Sequence, residues 1–296
     1  DRLSRALYRL GFNEIDWHQK PLSDVTYQDN KQLIGFALGQ HQISCQLVNY
    51  SCQLLDPEPS LYPDYASPDR QLYVKLQDFN LYLCKVADDS CRQLTTDGSA
   101  TAPYALKHTS PDTLLANADH KPQQQLDLHW SPDSQYLVTY QLFRGGVNQL
   151  VLTDSTADND YSPSSVHYYY PQAGDKVLPA AQLVLLDVKN NKLHKLDAPR
   201  LMQTYYGGAL WGSWRGTEFY YHDRRRGNRQ YFLRKVIAEQ ARVQTLIEET
   251  DHQFIDPWGQ NFRLFNHSKR LLWTSQRDGY QHVYLYESKT GRLINQ

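Results

Sequence analysis

Residues 33–55 read LIGFALGQHQISCQLVNYSCQLL, and residues 72–94 read LYVKLQDFNLYLCKVADDSCRQL. Laid over one another they match cysteine for cysteine: Cys45 falls on Cys84 and Cys52 on Cys91, an offset of 39 residues, and the members of each pair are seven apart. The register extends outward, with Leu33 on Leu72, Ile43 on Tyr82 and Leu55 on Leu94. Each stretch carries an alternating strand, a short polar turn and a second strand, the pattern of a β-hairpin. A four-stranded propeller blade takes about 40–50 residues, so the period predicts an all-β chain built as a β-propeller of four-stranded blades.

Later segments keep this grammar without the cysteines. Residues 182–196 turn at Asn190-Asn191, residues 231–247 form a second hairpin, and residues 282–294 turn at Thr290-Gly291. Upstream of the hairpins a polar turn feeds a strand: Ser67-Pro68-Asp69 before Leu72, Ser131-Pro132-Asp133 before Tyr136, and Asn266-His267-Ser268 before Leu271. Proline presets φ for the turn, and Asp accepts from the backbone two residues on. About five such units are visible, with a partial one near the start. Residues 154–180, rich in Ser, Asp, Tyr and Pro, break the period as a long insertion. Residues 1–10 are expected to form one short helix, since Leu3, Ala6, Leu7 and Leu10 share a face.

Composition agrees with strand. The 296 residues include 22 Tyr, 6 Trp and 9 Phe against one Met, an inventory that sheets favour. A formal charge of −1 gives no long-range pull toward phosphate, so nucleic acid is not an expected partner. The longest apolar runs, such as 183–186, fall far short of the roughly 18–20 residues a helical bilayer crossing needs. The chain opens on Asp1 without an apolar leader, which is expected to have been removed or left upstream. Residues seven apart can face each other across a hairpin, within reach of a disulfide. Bridges Cys45 to Cys52 and Cys84 to Cys91 imply an oxidising compartment; the other reading is four reduced, half-buried thiols. Neither spacing is that of a zinc or redox motif, so no metal or cofactor is indicated.

Several segments resemble the N-terminal β-propeller domain of the dipeptidyl peptidase IV and prolyl oligopeptidase group of serine peptidases. Residues 273–286, WTSQRDGYQHVYLY, resemble that family's W-x-S-E-R-D-G-[WY]-x-H-L-Y-L-Y run, with Gln276 in place of Glu. Residues 168–175, YYYPQAGD, resemble its Y-x-Y-P-x-A-G-D segment; Trp130-Ser131-Pro132-Asp133 is similar to its W-S-P-D, and residues 226–230 to its R-x-N-R-x-Q. The resemblance spans nearly the whole chain and implies an exported parent with a C-terminal α/β-hydrolase domain beyond Gln296. Each motif also has a structural reading. Arg277-Asp278-Gly279 is a turn in which Gly supplies a positive φ. Arg224-Arg225-Arg226 with Arg229 is a basic hairpin tip, either solvated or set against a partner domain. Glu248-Glu249 is a tempting acidic pair for a substrate amine, but the resemblance places it on the strand leaving a hairpin, where a structural role is expected.

The chemistry of a serine hydrolase is missing here. No G-x-S-x-G occurs; around Ser213 the nearest match has Trp211 where the first Gly must stand, and the 11 His are scattered singly. The resemblance implies an acidic D-W-x-Y-E-E segment before the W-S-P-D strand, to grip a substrate's free amine. Residues 97–130 contain no Glu there, and between the ends offer only Asp112, Asp119 and Asp127. Arg144, in Phe143-Arg144-Gly145-Gly146, is the candidate substrate contact. The functional expectation is a propeller that gates short peptides to a serine exopeptidase; the alternative is a noncatalytic propeller that binds protein or ligand. The family's ring has more blades than are counted here, which predicts either an incomplete ring or association across its open side, such as a homodimer.

Overall fold

The first cysteine stretch belongs to a four-stranded antiparallel sheet: β1 (Leu22–Gln28), β2 (Leu33–Leu38), β3 (His41–Gln46) and β4 (Cys52–Leu55), hydrogen-bonded in that order. It follows helix α1 (Arg2–Arg9), which buries Ala6 and Leu7 and packs Leu3 and Leu10 on Phe36 and Ile43. The computed structural model describes residues 2–12, 22–28, 32–38, 41–55, 64–108, 125–155, 163–202, 208–257, 259, 261–265 and 268–296. These elements form one compact unit, Asp1–Pro63; Asp64–Gln296 form a second.

The second unit opens with the other cysteine stretch, the three-stranded sheet β5 (Leu72–Gln77), β6 (Asn80–Lys85) and β7 (Cys91–Gln93). Its hairpin repeats the first bond for bond. Gln46 N–H donates to Ser51 O at 2.9 Å, as Lys85 N–H does to Ser90 O at 3.0 Å. Asn49 Oδ1 accepts from Ser51 N–H as Asp88 Oδ1 does from Ser90 N–H, and Tyr50 and Asp89 share a left-handed φ of 55° and 56°. Cys45 therefore faces Cys52, and Cys84 faces Cys91, each with Cα atoms 4.0 Å apart and the sulfurs bonded. The reading of four reduced thiols is set aside.

A five-stranded sheet follows. β8 (His129–Trp130) pairs β9 (Tyr136–Phe143); the two-stranded β10 (Gln149–Asp154) and β11 (Ser164–Tyr169) then form a separate hairpin. The chain returns as β12 (Ala180–Asp187), which pairs β9 along its full length, Ala180 opposite Phe143 and Asp187 opposite Tyr136. β13 (Lys192–Lys195) and β14 (Leu201–Met202) pair β12 on its other edge. The excursion between β9 and β12 thus begins at Arg144, earlier than the shift in composition at residue 154; residues 156–162 lie outside the described residues. Two four-stranded sheets complete the unit: β15 (Gly212–Arg215), β16 (Glu218–Arg224), β17 (Gln230–Ile237) and β18 (Arg242–Thr250), then β19 (Phe262–Leu264), β20 (Arg270–Ser275), β21 (His282–Glu287) and β22 (Leu293–Asn295).

Period-two alternation lets each strand serve two cores. On β12, Val184 and Leu186 pack with Val74, Leu81 and Leu83, while Leu183 and Leu185 pack with Phe219, Tyr221 and Val236. On β16, Tyr220 faces the other way, toward Leu271, Trp273 and Tyr284. Four sheets are thereby stacked in chain order, as blades. The polar turns behave as their chemistry requires. Ser67 Oγ and Ser131 Oγ each donate to the Asp two residues on, at 2.5 Å, and accept from Leu72 N–H and Tyr136 N–H. The third such turn includes Asn266 and His267, which lie outside the described residues.

Candidate functional site

Arg144 sits where β9 leaves its sheet. Leu142 N–H and Arg144 N–H each donate at 2.8 Å, to Pro103 O and Thr101 O, which zips the strand end to the loop before residue 104. The chain then turns through Gly145-Gly146, with Val147 N–H on Arg144 O. The half-buried side chain is fixed twice: Nε donates to Ala100 O at 2.9 Å, and the Tyr169 ring lies 4.6 Å from Cζ. Tyr169 in turn meets His108 edge to face at 6.4 Å. Burial holds the Arg144 guanidinium below its ordinary value; burial, and after it the Arg144 charge, lower the His108 imidazole.

The YYYPQAGD segment carries its own polar contacts. Asp175 accepts from Asn148 Nδ2 at 2.8 Å and from Gln172 N–H at 2.7 Å. Arg226 donates to Asp175 O and Gln172 O, both at 2.6 Å. Arg225 reaches Asp223 at 3.1 Å and Arg200 O at 2.9 Å. The basic run is therefore partly an internal brace, which its composition did not reveal because the acceptors of Arg226 are backbone carbonyls 51 and 54 residues upstream.

Among the described residues, none of the acidic candidates forms a pair for an amine. Asp127 is buried, with one oxygen on His129 Nε2 at 2.9 Å and the other on Leu210 N–H at 3.0 Å. Gly208 approaches so closely that a Cβ there would stand 2.1 Å from Asp127 Oδ2. Asp112 and Asp119 lie outside the described residues. Glu248 and Glu249, adjacent on β18, point to opposite faces. Glu248 is exposed, whereas Glu249 is buried and accepts from Ser275 Oγ at 2.6 Å, the Trp273 indole N–H at 2.9 Å and Arg277 Nη2 at 3.1 Å. Arg277 also donates to Tyr286 OH at 3.0 Å, and Tyr284 OH bonds Asp278, so the WTSQRDG run is wired to the preceding sheet. Gly279 closes its turn at φ +93°. Ser213 lies mid-strand on β15, opposite Tyr220, rather than on a strand-to-helix turn. Among the described residues no three His, Cys, Asp or Glu side chains group as metal ligands, and no helix is long and apolar enough to cross a membrane.

Antiparallel sheets of three to five strands stacked in chain order, two of them with a Ser-Pro-Asp turn leading into a strand, define a β-propeller type of domain. The family model of the dipeptidyl peptidase IV N-terminal region matches residues 40–296, well over half of the chain, and the chain belongs to that family. Its fold is similar to that of Porphyromonas gingivalis dipeptidyl peptidase 4, with a TM-score of 0.58 at 15% identity over 93% of this chain. It is also similar to a putative dipeptidyl aminopeptidase IV from Bacteroides ovatus, with a TM-score of 0.55 at 18% identity over 98%. The chain spans 37% and 38% of the lengths of those two proteins.

Proposed function

We propose that this chain is the substrate-gating propeller of an exported, dipeptidyl peptidase IV-like serine exopeptidase that acts on short peptides. The observation that carries the reading is the family match over residues 40–296, in a chain that spans little more than a third of its structural relatives. The catalytic triad would then lie in a C-terminal α/β-hydrolase domain of the parent. The propeller would act by exclusion and by orienting the peptide, with Arg144 as a contact that positions substrate. Two disulfides favour an oxidising compartment, periplasmic or extracellular.

The test is peptidase activity of the full-length parent on amino-terminal Xaa-Pro and Xaa-Ala chromogenic di- and tripeptides, with this chain alone as control. Cleavage by the parent and not by the chain is the expected result. Silence from both, in folded protein, would overturn the peptidase reading in favour of a binding platform.

A further inference from the structure

We propose that the Arg144 corner is a binding site for a carboxylate carried by a short peptide. The peptide rests on the function proposed above; the carboxylate rests on the geometry alone. Among the described residues, only the Nε donor of the five N–H donors of the guanidinium has a partner, and Cζ lies over the Tyr169 ring. The two terminal nitrogens have no partner among the described residues, which leaves a fixed edge with the fork spacing that matches a carboxylate.

The charge around this edge points the same way. Arg215, Arg225 and Arg277, partly buried, and Arg234, buried, each have a carboxylate within 3.5 Å, whereas Arg92, also partly buried, has none among the described residues. Arg144 has none among the described residues. Among the described residues, Asp175 is engaged with Asn148 and Gln172 N–H, and Asp97 with Lys195 at 2.6 Å and Tyr104 at 2.7 Å. A half-buried cation with no counter-charge among the described residues is costly, and an anionic ligand would remove that cost. The same charge repels an ammonium, so a peptide bound here places its amine elsewhere and offers either an acidic side chain or its C-terminus.

Two pairs of ligands separate these sources. Ala-Glu-amide and Ala-Gln-amide differ only in the side-chain carboxylate; Ala-Gln and Ala-Gln-amide differ only in the terminal one. Titrated calorimetrically into the full-length protein, the acidic member of at least one pair should bind about tenfold or more tightly than its neutral twin. Arg144→Gln should bring both members to the neutral level, and Arg144→Lys, which keeps the charge and loses the fork, should fall between. Equal affinity within both pairs, or a preference that survives Arg144→Gln, overturns the proposal. Preference for the acid without any peptidase activity would fell only the function proposed above, and cleavage without that preference would fell only this one.

Discussion

Two adjacent glutamates on β18 meet opposite fates. Glu249 collects three side-chain donors from residues 24, 26 and 28 positions further along the chain, and Glu248 faces water. Removing a buried acceptor strands its donors, so Glu249→Ala should cost about 3–5 kcal/mol, read as a lower denaturant midpoint, while Glu248→Ala should stay within about 0.5 kcal/mol. Equal effects would show that the network carries no stability. The sequence marks both residues as acidic and cannot rank them, because the donors arrive from the next sheet. His222 illustrates the same blindness. Its ring lies 4.9 Å from Phe262 and 5.6 Å from both Tyr231 and Trp273, and burial, reinforced by Arg224, pushes it down to about 4. Between pH 6.5 and about 4 the unfolded chain binds a proton that the native imidazole refuses, so stability should fall as pH falls through that window. His222→Phe should flatten that part of the pH profile of melting temperature; an unchanged slope would assign the acid sensitivity to other groups.

At the scale of elements, what is local was legible. The matched hairpins could be read from seven-residue spacing because a turn fixes which residues face each other, and the structure repeats even the side-chain acceptor at Asn49 and Asp88. Closing so short a loop stabilises modestly: replacing both cysteines of either bridge with serine should cost roughly 2.5 kcal/mol, measured by melting with and without reductant. No change on reduction would mean that hairpin hydrogen bonds alone hold the strands. Ser67 and Ser131 make the same three-way turn contact, so Ser67→Ala and Ser131→Ala should each cost about 1 kcal/mol and by similar amounts. The start of the excursion at Arg144 was not legible, because β9 ends by pairing with loop carbonyls that no periodic pattern marks.

Across the larger unit, the sheets stack through alternating faces of shared strands, and polar links span successive blades: Asp69 N–H on Ser134 Oγ, Trp214 on His129 O, Trp273 on Glu249. These links tie each blade to the next. Family membership was legible in four ordered motifs; the geometry at Arg144 was not, since it joins residues from the loop at 100, the end of β9 and the end of β11. The most direct test of a gating propeller is the length dependence of cleavage by the full-length parent, followed as kcat/KM over peptides that share one amino-terminal dipeptide and grow toward a folded protein. Efficient cleavage of short members and a steep loss with length and folding are expected. Undiminished cleavage of long or folded substrates would contradict gating.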